Sequence, residues 1–439
     1  MTQKAKLVWR DLADSRVALM LALGFSAGLP LLMVFGTLSV RLREAGVPVT
    51  TIGLFSWLAL AYSLKFIWSP LVDAFDVPIL ARLVGRRRAW MMVCQLLVVL
   101  GLVGAGLSDP SASIAVTAAF TFLVAFGSAT QDVVVDGWRI DAAPIEKQGI
   151  MAASYQLGYR LALLAAGAGA LYIAEFVDWR IAYFSMAALM AVGFGAALLS
   201  PIVDRAPGEG AAKRPARFSF ADAVREPIAD LYLRKGRVLV PILALVALYR
   251  LPDFVAGVMA NSLYVDLGFS KVQIASVAKL YGVWIGIVGA FVGGYLVAKI
   301  GLLRTMLIGA VASAVSHLLF AWLTTQGAAI EALVVVISVD NFAGSFSGTA
   351  LIAYMSGLTA AGFSATQYAL LSSLYALPGK LIGGISGFVV AAYGYATFFA
   401  LTATIGIPVI ALIVTVGRAP AGGLSPAKTE DAEAAAQVR

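Results

Sequence analysis

Charge is what this 439-residue sequence lacks most. Asp, Glu, Lys and Arg make up 13% of it, against roughly 25% in an ordinary soluble chain. That is too little to clothe a water-facing surface, which excludes a soluble enzyme. Cysteine and histidine are scarcer still, at one residue each. A lone Cys94 excludes an intramolecular disulfide and reads as a small buried packing residue. No Cys/His cluster has metal-ligand spacing, so neither a metal nor a bound cofactor is expected. His317 stands alone in an apolar run and reads as a packed neutral imidazole rather than a proton relay. No phosphate-binding lysine motif occurs, so ATP-driven work has no support.

What the chain has in quantity is apolar surface: 61% of its residues are hydrophobic and its mean hydropathy is +0.90. A bilayer span needs about 20 apolar residues. The apolar windows predict twelve helices, at 17–40, 51–72, 89–108, 112–136, 150–173, 180–203, 238–263, 271–297, 302–324, 329–355, 364–391 and 395–417. The fold class expected is therefore an all-α polytopic membrane protein, with the lipid bilayer as its medium. Its first apolar run has no small-residue cleavage site and reads as a retained helix. The formal charge of +8 could suggest a nucleic-acid partner. In a membrane protein, however, surplus Lys and Arg collect on the cytoplasmic side, and no nucleic acid is expected.

The polar stretch 204–237 separates the sixth window from the seventh and reads as a cytoplasmic linker, with a short amphipathic surface helix over 220–233. The Ala-rich tail 418–439 reads as disordered. With both termini inside, about 23 Lys and Arg fall on the cytoplasmic side and about 4 opposite, which fixes the orientation. The halves 1–203 and 238–417 also repeat one another. Tyr155-Gln-Leu-Gly-Tyr-Arg160 matches Tyr375-Ala-Leu-Pro-Gly-Lys380, and Phe126 matches Phe346, at one shared offset. Gly85-Arg-Arg-Arg88 has a counterpart in Gly301-Leu-Leu-Arg304. Two repeated six-helix halves joined by a basic linker are the major facilitator architecture. The loop after the second window resembles that superfamily's signature, with Asp73 followed by Arg86, Arg87 and Arg88. It departs from the pattern at Ser69 and by an insertion before Gly85. These four residues read as a cytoplasmic latch that gates rather than touches substrate.

Charges inside apolar windows are the most informative feature, since each costs from about 2.5 to over 10 kcal/mol unless it faces a cavity or a partner. Asp132 and Asp136 share a helical face at four-residue spacing and read, with Asp340, as proton-coupling groups; the alternative is neutralisation by Arg139 or Arg160. Arg160 and Lys380, related by the repeat, suit an anionic substrate. The alternative pairs Arg160 with Asp132 and Lys380 with Asp340. Lys65, Gln131, Gln156, Tyr155, Asn341 and Tyr375 lie near these charges and are candidate substrate contacts. Arg250 and Asp253, three apart, read as a local pair, and Lys279 as a snorkelling lysine. Glycine pairs at four-residue spacing, such as Gly24/Gly28 and Gly289/Gly293, read as helix-packing positions.

Several stretches resemble the AmpG family of muropeptide permeases: Gly24-Phe-Ser-Ala-Gly-Leu-Pro30, Leu64-Lys-Phe-Ile-Trp-Ser-Pro-Leu-Val-Asp73, Ser128-Ala-Thr-Gln-Asp132 with Asp136, Gly158-Tyr-Arg160, and Phe363-Ser-Ala-Thr-Gln-Tyr-Ala-Leu-Leu371. The resemblance spans nearly all of both halves. It implies proton-driven import of anhydro-muropeptides, anionic sugar-peptides, across a bacterial inner membrane; a monomer is expected. It also implies roles for Gln131, Asp132, Asp136 and Arg160. The fourth-helix pattern, with Gly137-Trp138, also resembles acetyl-coenzyme A carriers, and other relatives resemble siderophore importers. A membrane sensor or scaffold that transports nothing is the alternative of another class.

Overall fold

The computed structural model describes residues 14–68, 72, 75–142, 145–202, 231–233, 235–358 and 364–418. Asp73, nearly all of the linker with its expected surface helix, and the tail beyond Arg418 lie outside the described residues. Helix is the outcome hydrocarbon demands, because each backbone N–H and C=O must be satisfied within its own segment. In chain order the long elements are α1 (Ser15–Glu44), α2 (Val49–Leu64), α3 (Arg86–Leu107), α4 (Ile114–Ala142), α5 (145–176), α6 (Trp179–Leu199), α7 (Leu239–Asp266), α8 (Lys271–Ile300), α9 (Leu302–Leu323), α10 (Ile330–Leu358), α11 (Ser364–Gly383) and α12 (Ser386–Arg418). Among the described residues, ten helices are long and apolar enough to cross a membrane; Val49–Leu64 is a shorter apolar helix.

Two predicted windows differ from the structure. The run 51–72 is helical in 3-10 form at Ser56–Ala59 and again at Lys65–Ile67, and its α-helix ends at Leu64. The run 364–391 stops at Gly383 and restarts at Ser386, where two consecutive glycines lower helix propensity. The restarted helix continues to Gly394, whose φ of 77° breaks it, a conformation glycine adopts without a Cβ clash. The repeat is visible in the backbone. Gly85 and Gly301, which precede α3 and α9, adopt nearly the same angles, φ 87 ψ 153 and φ 90 ψ 160.

Helix approach follows the glycine pairs. A Cβ at Gly24 would sit 2.1 Å from the Tyr155 carbonyl oxygen, and one at Gly158 would sit 1.9 Å from that of Leu21. α1 and α5 therefore cross backbone to backbone. Gly289 and Gly293 do the same for α8 on α10, against the Phe342 and Phe346 carbonyls. This close crossing also fixes each helix's rotation, and so which side chains turn inward.

Two apolar cores draw on α1–α6 alone, around Leu102, Tyr183 and Met190 and around Met20, Val135 and Trp138. A third draws on α7–α12, around Val246, Met306 and Tyr354. The fourth is shared, joining Leu38, Val40 and Leu171 to Met259, Phe320 and Phe399. Contacts between α1–α6 and α7–α12 concentrate at the end of the molecule where this shared core lies. There Arg43 pairs with Asp266, which also accepts from Tyr395 at 2.7 Å. Lys271 reaches Glu44 at 2.7 Å and Glu175 at 3.4 Å. Tyr172 and Ser276 share a 2.6 Å hydrogen bond. That end is closed.

Candidate functional site

Beneath the closed end, α1, α2, α5, α7 and α11 enclose a cavity of about 470 Å³, within the range of small-molecule sites. Its wall is mostly apolar, with Leu31, Phe35, Phe55 and Phe254. Ser39, Ser56, Tyr62, Tyr159, Asn261, Asp253 and Lys380 supply its polar groups. Lys380 donates to Ser63 Oγ at 2.6 Å and to the Ala59 carbonyl at 3.4 Å, so it holds to α2 rather than to Asp340. Its repeat partner Arg160 is exposed on α5 and is not part of this wall; Tyr159, one residue earlier, is. The α1–α5 crossing sets that rotation, because the Tyr159 backbone is seated against Gly28.

The first charge cluster belongs to α2, α4 and α5. Lys65 Nζ stands 3.5 Å from Asp132 Oδ2, and Tyr155 donates to Asp132 Oδ1 at 3.3 Å. Asp132 thus has Lys65 as its cation. Asp136, four residues on, is exposed and pairs with Arg139 at 3.4 Å. Lys65 also lies within electrostatic reach of Lys380. Gln131 is buried and donates to Ser26 Oγ at 2.8 Å, tying α4 to α1. Gln156 is exposed on α5. Tyr375 stacks on Phe254 with centroids 5.9 Å apart, directly behind the cavity wall.

The second cluster belongs to α7, α9 and α10. A smaller cavity of about 220 Å³ is lined by Arg250, Asp253, Asp340, Asn341 and Ser345. Asp253 lines both cavities. Arg250 pairs with it at 3.0 Å and also donates to the Gly344 carbonyl, as their three-residue spacing predicted. Asp340 accepts from Ser316 at 3.2 Å. Asn341 donates to the Ile337 carbonyl of its own helix at 3.1 Å.

Lys279 corrects the snorkelling expectation. It lies in a π-helical stretch, Ile274–Tyr281, whose extra residue per turn rotates it inward. Its Nζ donates to Asn261 at 2.7 Å and rests against Gly36 of α1. Sequence reasoning missed Tyr62, Tyr159 and Asn261 as cavity residues, because an aromatic or amide in an apolar window carries no signal of its facing. The arginines of the expected latch gather at one end of α1–α6. Arg86 meets Asp76 at 3.2 Å and donates to the Val72 carbonyl at 3.1 Å; Arg88 reaches the Ser200 carbonyl. The Arg87 guanidinium covers the Cα face of Gly137. Asp73, the acid of that motif, lies outside the described residues. Among the described residues, no group of three or more His, Cys, Asp or Glu side chains is placed to hold a metal ion.

Comparison with known proteins follows this geometry. Residues 16–114 match the family model described as Acetyl-coenzyme A transporter 1. Among solved structures, the nucleoside transporter NupG superposes with a TM-score of 0.65 at 16% identity, over 92% of this chain and 98% of that one. A D-xylose-proton symporter does so at 0.62 and 15%, over 89% and 96%. At such identities the likeness establishes the major facilitator fold. Putative transporter AmpG 4 of Rickettsia felis is 34% identical over 94% of this chain and 99% of its own length. The anhydromuropeptide permease of Escherichia coli K12 is 33% identical over 92% of this chain and 80% of its own. With that identity sustained from end to end, the chain belongs to the AmpG family, multi-pass secondary transporters rather than enzymes.

Proposed function

We propose that this protein imports anhydro-muropeptides across a bacterial inner membrane, driven by protons. The observation that carries this reading is its 33% identity to the anhydromuropeptide permease over nine-tenths of its length. A cavity with apolar walls and a lysine beneath a closed end supports it. An anhydro-muropeptide is a sugar-peptide with several carboxylates, and Lys380 is the cation aimed at the first of them. The full architecture proposed is twelve spans in two halves, 1–203 and 238–417, joined by a cytoplasmic linker, with both termini cytoplasmic. The protein acts as a monomer. In that orientation the closed end is periplasmic.

Coupling follows from the Lys65–Asp132 pair. While Asp132 is ionised it holds Lys65; once protonated it no longer does, and the ammonium turns towards Lys380 and the substrate anion. Proton binding and anion binding then favour one another. Asp136 hands protons between Asp132 and water, and Asp340 serves the other half. Tyr155 positions Asp132, while Gln131, Gln156, Asn341 and Tyr375 complete the polar surroundings. Arg160 attracts the anionic substrate. Asp73, Arg86, Arg87 and Arg88 latch the cytoplasmic side when it closes.

The family-model match over 16–114 supports a second reading, in which acetyl-coenzyme A is the substrate. Uptake of labelled anhydro-muropeptide into proteoliposomes under an inward proton gradient tests both. Accumulation that unlabelled acetyl-coenzyme A and siderophores fail to compete supports the first. Saturable uptake of acetyl-coenzyme A with no muropeptide uptake overturns it in favour of the second.

A further inference from the structure

His317 is the only histidine in the chain, and it is completely buried. Its Nε2 stands 3.3 Å from Asp253 Oδ1. Neither ring nitrogen makes a hydrogen bond among the described residues. A packed structural imidazole would normally have at least one nitrogen satisfied, because burying a polar atom without a partner is costly. Around it, Asp253 accepts from Ser313 and pairs with Arg250. Asp340 lies within electrostatic reach of both His317 and Asp253.

Among the described residues, the charged groups acting on Asp253 and Asp340 are each other, Arg250 and His317; Glu331 lies in the first turn of α10, away from Asp340. On α8, Lys279 is engaged with Asn261 and Lys299 lies over the Tyr295 ring. Arg418 is in the last turn of α12. From α7, Tyr249 donates to the Met306 carbonyl at 2.9 Å, and Tyr264 is stacked near Phe320. The local balance is therefore two carboxylates against one guanidinium. A buried cluster with one unmatched negative charge is unfavourable in a low-dielectric interior. One proton on the imidazole would cancel it and turn the 3.3 Å approach to Asp253 into an ion pair.

We propose that His317, Asp253 and Asp340 form a second proton-binding site, in which His317 takes up one proton and Asp253 connects it to the central cavity. The step is a simple transfer. A solvated proton entering the cavity binds the Asp253 carboxylate and passes to Nε2, leaving neutral water behind, giving an imidazolium and restoring the carboxylate. Asp340 stabilises the product across the smaller cavity. Uptake also gives Asp253 a second cation partner, which loosens its claim on Arg250 and leaves that guanidinium free to meet a substrate carboxylate. This inference rests on the proton-coupled reading above and assigns it a stoichiometric contribution of one proton from α7–α10.

The single histidine makes the test direct. Full-length protein, purified with a tag that contains no histidine and labelled with ¹⁵N-histidine, is reconstituted into nanodiscs and titrated by NMR from about pH 8 to 5. The expected result is one imidazole passing from neutral to protonated, with a smaller protonated share at each pH in Asp340→Asn and an unchanged titration in Asp132→Asn. An imidazole that keeps one protonation state throughout overturns the proposal, and the wild-type protein alone decides this. An Asp340→Asn protein with a wild-type titration overturns the role of Asp340. In proteoliposomes, His317→Gln should flatten the pH dependence of uptake while substrate counterflow persists; an unaltered pH profile overturns the coupling. If the wild type carries no muropeptide at all, the functional reading fails while the NMR titration still judges the site.

Discussion

The two charged clusters of this transporter solve the same problem differently. In α1–α6 one half-buried carboxylate, Asp132, faces one ammonium, Lys65, and the second carboxylate, Asp136, is exposed with its own arginine. In α7–α12 two carboxylates, Asp253 and Asp340, share one guanidinium and an imidazole in the interior. The first is balanced as it stands, and in the coupling proposed above a proton would release its cation. The second is short of one positive charge. Repeated backbone has not meant repeated chemistry: Gly85 and Gly301 keep the same angles, yet the ionisable groups differ in number, depth and partner.

The sharpest way to break that comparison is Asp132→Asn, which should abolish proton-driven accumulation and leave counterflow intact. The drive lost is about 1.4 kcal/mol per pH unit plus about 2.3 kcal/mol per 100 mV. Normal accumulation by the mutant at every pH would place coupling wholly in α7–α12.

Stability separates the clusters next. Arg250→Ala leaves Asp253 and Asp340 without their guanidinium and should cost about 1.5–3 kcal/mol, the range for a hydrogen bond to a charged group. Lys65→Ala, at a side chain about one-third exposed, should cost under about 1 kcal/mol. Thermal unfolding in one detergent compares them; equal losses would refute the difference in depth.

The repeat-related cations come third. Lys380→Ala should weaken binding of anhydro-muropeptide by roughly 10- to 100-fold, the effect of losing about 1.5–3 kcal/mol from a hydrogen bond to a charged group. Arg160→Ala, outside the cavity wall, should change it by less than about threefold. Calorimetry on folded protein measures both, and the reverse order would place Arg160 in the site.

The smallest effect belongs to the closed end. Asp266→Asn removes the carboxylate shared by Arg43 and Tyr395, a partly exposed contact of about 1 kcal/mol or less. A cysteine at Ser39, on the cavity wall, should react faster with an impermeant reagent added outside. An unchanged rate would mean that this pair does not help to hold the end shut.

Much of this was legible without coordinates. Arg250 and Asp253 pair because three residues along a helix bring two side chains to one face. Gly24 and Gly28, four apart, mark a packing face, and the structure seats the Tyr155 and Tyr159 backbone against them. That Lys380 faces a cavity followed from a charge in an apolar window. The facing of Arg160 did not, since one residue of rotation moves a side chain by roughly 100°.

The sequence by itself determined the medium, the helical class and the presence of charges too costly to leave in lipid, because these depend on composition and local spacing. Family membership followed from the same string of residues. Only the tertiary structure decided which charge meets which. Lys65 and Asp132 lie far apart in the chain, Lys380 reaches Ser63 across the α2–α11 contact, and Lys279 turns inward on a π-helical turn. Partner choice among buried charges depends on helix rotation and depth, and these are set by how glycine faces and apolar side chains pack between helices, which no single helix's sequence contains.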